Sequence, residues 1–187
     1  TTQPGDLFVA MTGFATDGHQ YIAKALANGA AAVLCQRRPA EACAYVQTED
    51  SRRALAVIGG NWFGHPAEKM TMVAVTGTCG KTTTTYLLKA ILEQARGAKV
   101  GLIGTNQNMI GSDVIPTERT TPESFEVQKL FREMADAGCT HVVMETSSHA
   151  LYLDRVYGVR YDVGIFTNLT QDHLDFHKTM ENYCDAK

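Results

Sequence analysis

Residues 73–88, VAVTGTCGKTTTTYLL, pass from a β-branched apolar run through a loop with two glycines into Lys81, four threonines and an apolar segment of helical character. A chain that bends sharply after a strand and then opens a helix exposes unpaired N–H groups. The helix dipole adds to them, so such a turn suits an anion. The spacing is G-x-x-G-K-T from Gly77 to Thr82; Val75 stands where the full Walker pattern has its first glycine. Strand, glycine turn and helix still follow in the required order, the context that lifts a phosphate-loop match above chance. In such a loop the backbone N–H groups of Gly77, Thr78, Cys79, Gly80 and Lys81 cradle phosphates, Lys81 neutralises the β and γ oxygens, and the Thr82 hydroxyl ligates Mg2+. The expected ligand is therefore ATP or GTP. The alternative is a glycine-rich helix cap with a solvated lysine. Four successive β-branched threonines, mediocre helix formers unless a ligand uses them, speak against it.

The rest of the chain agrees with an α/β fold. Before the loop, DLFVAM, AAVLC and AYVQT read as strands and YIAKALANGA and SRRALAVIGGNWF as helices. GHPAEKM, 64–70, supplies Gly and Pro just ahead of a new apolar run, which places a domain boundary near residue 69: 1–69, then 70–187. Beyond it come a strand at MTMVAVTG, a helix over 81–96, a strand at AKVGLIG, a helix over 122–137, strands at HVVMETSS and YDVGIFTNL, and a closing helix from about Glu181. Strands that are nearly all apolar, separated by helices, form a parallel sheet covered on both faces. A sheet of this kind usually continues for further strands, so the chain is expected to be a piece of a longer one.

Composition narrows the partners. With 44% apolar and 20% charged residues among 187, and a formal net charge of -3, the chain suits a globular protein without the basic field a nucleic acid would require. No run of about 18 apolar residues could span a bilayer, and residues 1–20 lack a signal-peptide pattern. Five cysteines, odd in number and without C-x-x-C spacing, suggest neither a disulfide framework nor a zinc site. The expectation is a cytoplasmic protein with no nucleic-acid or membrane partner.

Two further clusters fall past strand ends, on the edge that carries the phosphate loop. HVVMETSSHA ends a strand with Glu145, where a carboxylate could hold the nucleotide's magnesium. For Ser147 and Ser148 a helix N-cap is an equal alternative. IFTNLTQDHLDFH crowds Asp172, His173, Asp175 and His177 into one loop, a pattern open to metal binding, catalysis or a structural histidine.

Taken together, TGTCGKTTTT, PTERTTPE, METSSHALYLDRV, FTNLTQDHLDFH and YCDAK resemble the Mur ligases, in particular the MurE type, which adds the third residue of the peptidoglycan stem peptide to UDP-N-acetylmuramoyl-dipeptide. The region QPGDLFVAMTGFATDGHQYI is similar to that family's uridine-binding domain. The resemblance implies a small α/β uridine-binding domain followed by the first part of a phosphate-loop ATPase domain. It also implies an ATP- and Mg2+-dependent amide ligase working through an acyl phosphate, with meso-diaminopimelate or L-lysine as the added amino acid, and a monomer.

By position, Gly77, Thr78, Cys79, Gly80, Lys81, Thr82 and Thr83 match the ATP loop, Thr82 and Glu145 the magnesium ligands, and His173 the second-metal ligand. Lys187 matches a carbamylated lysine at that second metal; from its chemistry alone it reads as a solvated lysine. Thr120, Thr121, Ser147 and Arg155 match positions that hold the muramoyl-dipeptide, and Gly13, Phe14 and Ala15 lie in the loop that matches the uridine site. Cys79 stands where the family usually has asparagine. The family's third domain, which closes over ATP, is absent from the chain, so the chain alone is expected to be inactive. Three alternatives remain: another Mur-type or folate ligase; a GTPase switch, for which no N-K-x-D-like motif is found; and a non-catalytic UDP-sugar-binding relative.

Overall fold

In a computed structural model the described residues are 2–13 and 16–187. The chain forms two compact units, Thr1–Leu55 and Ala56–Lys187.

The first unit holds β1 (Leu7–Val9), α1 (Ile22–Ala27), β2 (Ala32–Cys35) and β3 (Tyr45–Gln47). Its three strands are parallel in the order β1-β2-β3, with Leu7 opposite Ala32 and Val33 opposite Tyr45. Ala10, Ile22, Val33 and Cys35 make its core, so one α1 face and one side of β2 supply the apolar contact. The next helix, α2 (Ser51–Phe63), contains the division between the units. The stretch 64–70 forms a 3-10 turn, Pro66–Lys69, whose Ala67 joins Met70 in the core of the second unit.

That unit continues with β4 (Thr71–Thr76), α3 (Lys81–Arg96), β5 (Val100–Ile103), β6 (Asn108–Ile110), β7 (Asp113–Ile115), α4 (Ser124–Asp136), β8 (His141–Glu145), α5 (Ser148–Tyr152), β9 (Val163–Phe166), α6 (Leu174–His177) and α7 (Met180–Asp185). The strands lie in the order β7-β6-β5-β8-β4-β9. β5, β8, β4 and β9 are parallel, as the apolar runs predict. The pair β6–β7 is antiparallel and extends the sheet past β5, an addition the sequence reading lacked. Its three-residue strands meet at Gly111 and are too short to carry a periodic signal.

Both faces of the central strands β4, β5 and β8 are covered, and alternate residues serve different helices. Met72, Val142 and Met144 pack with Val127, Leu130, Phe131 and Met134 of α4. Val73, Val75 and Val143 form a second cluster, with Leu88 and Leu92 of α3 against it. The α4 residues fall at i, i+3, i+4 and i+7, one stripe of an amphipathic helix. Among the described residues no helix is long and apolar enough to cross a membrane.

The chain leaves β4 toward β5 on one side and later returns, by way of β8, to place β9 on the other side of β4. Parallel sheets bind ligands at the carboxyl ends of strands where the order reverses in this way. The phosphate-loop sequence, Glu145, and the residues after Ile103 and Phe166 all lie at those strand ends.

Candidate functional site

The loop after β4 is shaped by contacts to the segment after β9. Gly77 has φ +136, and a Cβ there would lie 2.0 Å from Thr167 Oγ1, so only glycine fits. Asn168 holds the next two residues. Its carbonyl accepts from Thr78 N at 2.9 Å, its Oδ1 accepts from Cys79 N at 3.0 Å, and its Nδ2 donates to Cys79 O at 3.0 Å. The side-chain amide thus pairs with the Cys79 backbone much as a neighbouring strand would. Cys79 itself is exposed.

The donors of the expected cradle differ in what they already bond. The N–H groups of Thr78 and Cys79 are already engaged, whereas those of Gly80, Lys81, Thr82 and Thr83 have no protein acceptor among the described residues. The helix ladder starts with Thr84 N donating to Gly80 O at 3.0 Å. The anion-ready donors are the first turn of α3, which has the positive end of the helix dipole behind it. An open cleft of about 480 Å3 lined by Thr82, Thr83, Tyr86, Leu87, Asn106 and Gln107 flanks that turn. Of the four threonines, Thr85 is fully buried and its Oγ1 donates to Thr82 O at 2.9 Å, so packing rather than a ligand explains that one.

Two lysines converge on the same loop. Lys81 Nζ donates to Gly77 O at 2.8 Å and to Thr78 O at 2.9 Å. Lys187 Nζ donates to Gly77 O at 2.8 Å, reaches Thr76 Oγ1 at 3.5 Å and sits 4.9 Å from the centre of the Tyr183 ring. Burial, and then the neighbouring Lys81 charge, lower the Lys187 pKa to about 8. Lys187 is therefore a half-buried group aimed at the phosphate loop, not the solvated lysine that its sequence position alone suggests. Tyr183, fully buried, donates to or accepts from Thr78 Oγ1 at 3.1 Å and so links α7 to the loop.

Glu145 ends β8 and is 1% exposed. Its Oε1 accepts from Thr105 N and its Oε2 from Thr105 Oγ1, both at 3.0 Å. No Lys, Arg or His among the described residues forms an ion pair with it. A buried carboxylate held by neutral donors alone suits a cation, which would compensate its desolvation. Among the described residues no three His, Cys, Asp or Glu side chains gather into a cage, so nucleotide oxygens and water would have to complete any coordination at Glu145 and Thr82.

The loop ahead of α4 packs against the end of β8. Thr121, 1% exposed, donates from Oγ1 to Glu145 O at 2.8 Å and accepts from Ser147 N at 3.2 Å, which commits its hydroxyl to the protein. Thr120 Oγ1 lies 3.0 Å from Thr105 Oγ1. Ser147 is the N-cap of α5, accepting from Ala150 N at 3.1 Å, so its capping reading holds. Arg155 donates from Nη1 to Thr121 O at 3.2 Å and pairs through Nη2 with Glu123 Oε1 at 2.9 Å, an oxygen that Arg119 also contacts at 2.7 Å.

The histidines separate by burial. His173 has φ +52, its side chain is 44% exposed, and its Nε2 stands 3.6 Å from Asp172 Oδ2. His177 is buried, with Nε2 3.0 Å from Ser148 Oγ. Burial, and then His173 and Lys187, lower its pKa; burial, and then His173 and His177, do the same for His149. His149, Phe176, His177 and Tyr183 form a ring-packed group beneath His173.

In the first unit Phe14 and Ala15 lie outside the described residues. Beside them, Gly13 N donates to Thr16 O at 3.0 Å. Asp17 pairs with Arg37 and sits 2.6 Å from His19 Nδ1. Hydrogen bonds from the His19 backbone and ring, with Arg37, hold its carboxyl down at about 2.

Sequence reasoning singled out Lys81, Glu145, His173 and Lys187; it gave no role to Asn168, Thr105 or Tyr183, which the structure places against the same loop and carboxylate. Asn168 stood within the FTNL run without a reason to single it out.

Comparison with known proteins identifies the family. Residues 75–187 match the Mur ligase middle domain, and residues 1–61 match the Mur ligase family, catalytic domain. The chain is 53% identical, over 98% of its length, to UDP-N-acetylmuramoyl-L-alanyl-D-glutamate--2,6-diaminopimelate ligase of Clostridium botulinum, and spans 39% of that relative. A solved structure of a ligase of the same name superposes on the whole chain with a TM-score of 0.80 at 27% identity, the chain spanning 38% of it. MurF ligase of Thermotoga maritima, solved in complex with ADP, covers 99% of the chain with a TM-score of 0.63 at 26% identity, the chain spanning 39% of it. Matched by family models over both its halves and about half identical to a ligase of this kind along nearly its whole length, the chain belongs to the Mur ligase family.

Proposed function

We propose that the intact protein is an ATP-dependent amide ligase that joins 2,6-diaminopimelate to UDP-N-acetylmuramoyl-L-alanyl-D-glutamate in the cytoplasm, acting as a monomer. Residues 1–69 belong to the UDP-muramoyl-binding domain and 70–187 to the first part of the ATP-binding domain. The observation that carries this reading is that unengaged α3 N–H groups and a buried carboxylate, Glu145, with no cationic partner among the described residues, follow the ends of the adjacent strands β4 and β8. The names of the similar ligases support the choice of diaminopimelate over L-lysine.

In this reading the N–H groups of Gly80 to Thr83 hold the β and γ phosphates. Lys81 leaves the Gly77 and Thr78 carbonyls to neutralise the γ oxygens. The Thr82 hydroxyl and Glu145 would hold Mg2+, which supplies positive charge where two anions must approach. His173 and a carbamate on Lys187 would serve a second ion; Lys187 as an ammonium does not fit a cation. The substrate carboxylate attacks the γ-phosphorus and ADP leaves. The amine then attacks the acyl carbon and expels phosphate. Arg155 holds an anionic group of the muramoyl-dipeptide beside Thr120 and Ser147, and Thr121 contributes through its backbone. Gly13, Phe14 and Ala15 lie in the uridine loop.

Phosphate release by the intact protein should require ATP, Mg2+, the UDP-muramoyl-dipeptide and diaminopimelate together, with a product heavier by one diaminopimelate residue. Release that ignores the amino acid, or turnover only with L-lysine, would overturn the assignment. Arg155→Ala should raise KM for the UDP-muramoyl-dipeptide by about ten- to a hundred-fold, the scale of a lost hydrogen bond to a charged group, with a smaller effect on KM for ATP. An unchanged KM for the dipeptide would remove Arg155 from the substrate site.

A further inference from the structure

Thr105 follows β5 and is exposed, yet it supplies two hydrogen bonds to a carboxylate that is almost completely buried. Its N–H takes Glu145 Oε1 and its hydroxyl takes Oε2, so the carboxyl plane is fixed at both oxygens by one residue. The approach is close. A Cβ on Gly104 would lie 2.5 Å from Glu145 Oε1, so the backbone here leaves room for the carboxylate and nothing larger than hydrogen. The Thr105 hydroxyl has a single proton, and the acceptor-only carboxylate takes it. At the 3.0 Å contact between Thr105 Oγ1 and Thr120 Oγ1, Thr120 must therefore be the donor. The chain Thr120 O–H to Thr105 Oγ1, and Thr105 O–H to Glu145, runs in one direction. Thr120 then meets a substrate as an acceptor, suited to an N–H group.

We propose that Thr105 is a positioning residue that couples the Glu145 cation site to the Thr120 substrate loop. The proposal rests on the ligase reading above, in which Glu145 holds Mg2+ and Thr120 faces the muramoyl-dipeptide. An amide N–H of the dipeptide is the group Thr120 would accept from. Loss of the Thr105 hydroxyl frees one Glu145 oxygen to turn and leaves Thr120 without its acceptor. Metal affinity and dipeptide affinity should then fall together, although Thr105 touches neither ligand. Outer-shell partners of metal ligands typically govern ten- to a hundred-fold in affinity.

The test compares Thr105→Val, which keeps the N–H and shape but removes the hydroxyl, with Thr105→Ser, which restores it. Mn2+ binding to the intact protein in the presence of ADP is read by electron paramagnetic resonance, and KM for the UDP-muramoyl-dipeptide and for ATP by phosphate release. In Thr105→Val, Mn2+ affinity should fall about ten-fold or more, and KM for the dipeptide and for ATP should both rise. Thr105→Ser should lie within about three-fold of wild type. Unchanged Mn2+ affinity in Thr105→Val, or equal losses in the Val and Ser variants, would overturn the positioning role. If wild-type protein binds no Mn2+ or makes no amide, the ligase reading itself fails, which is a different result from a wild type that binds and ligates while Thr105→Val does the same.

Discussion

Lys81→Ala in the intact protein is expected to reduce ATP-dependent phosphate release by about a hundred- to a thousand-fold, the usual cost of losing one preorganised group at developing charge. The fold should hardly change. Among the described residues Lys81 Nζ bonds only to the carbonyls of Gly77 and Thr78, and Lys187 should still donate to Gly77 O in its absence. Thermal unfolding should move by no more than the net worth of a hydrogen bond or two, about 1 to 2 kcal/mol. A second readout separates charge from packing. Lys81 is one of the causes of the lowered Lys187 pKa, so its removal should let that pKa rise, observable by nuclear magnetic resonance of labelled lysine. Phosphate release near the wild-type rate would sink the phosphate-loop assignment.

The helix that carries Lys81 was legible despite its run of threonines, because its ends and its apolar spacing agree on it. Gly80 precedes it, Gly97 with φ +61 ends it, and the apolar residues between them recur at helical spacing. The parallel strands β4, β5 and β8 were equally plain, since burial on both faces makes them almost wholly apolar. The hairpin β6–β7 and the split of the last segment into α6 and α7 were not. Their elements run from three to six residues, and His173 and Lys178 adopt positive φ without being glycine, which no propensity announces.

The site divides in the same way. Lys81, Glu145 and His173 carry charge or ligand chemistry that marks them wherever they stand. Thr105, Asn168 and Tyr183 act through a hydroxyl or an amide on a partner far along the chain. Asn168 lies 89 residues from Cys79, and Tyr183 lies 105 from Thr78. Only the sheet order, which brings β9 beside β4, joins them. Side-chain type does not encode such pairings, so they had to be seen in the fold.

Lys187→Ala is expected to remove most ligase activity, and the geometry gives the reason. Carbamylation needs a neutral amine, which attacks the carbon of CO2 and loses a proton to give an N-carboxylate. With its pKa near 8 rather than 10.5, Lys187 is neutral in roughly a quarter of molecules at pH 7.5, against about one in a thousand for an ordinary lysine. The sign for stability follows from the same shift. A lysine whose folded pKa is depressed burdens the fold while charged, that is, below about 8, and the burden lifts between about 8 and 10.5 as the folded state loses its proton first. Unmodified wild-type protein should therefore gain stability over Lys187→Met as pH rises from 8 to 10, measured by thermal unfolding in CO2-free buffer. In activity assays, bicarbonate or a small carboxylate should restore part of the rate to Lys187→Ala by occupying the vacated anionic position. Lys187→Glu should recover little, because its carboxylate is too short to reach where a carbamate on the longer side chain would stand. A fully active Lys187→Ala enzyme would leave the residue as a brace for the Gly77 carbonyl and nothing more.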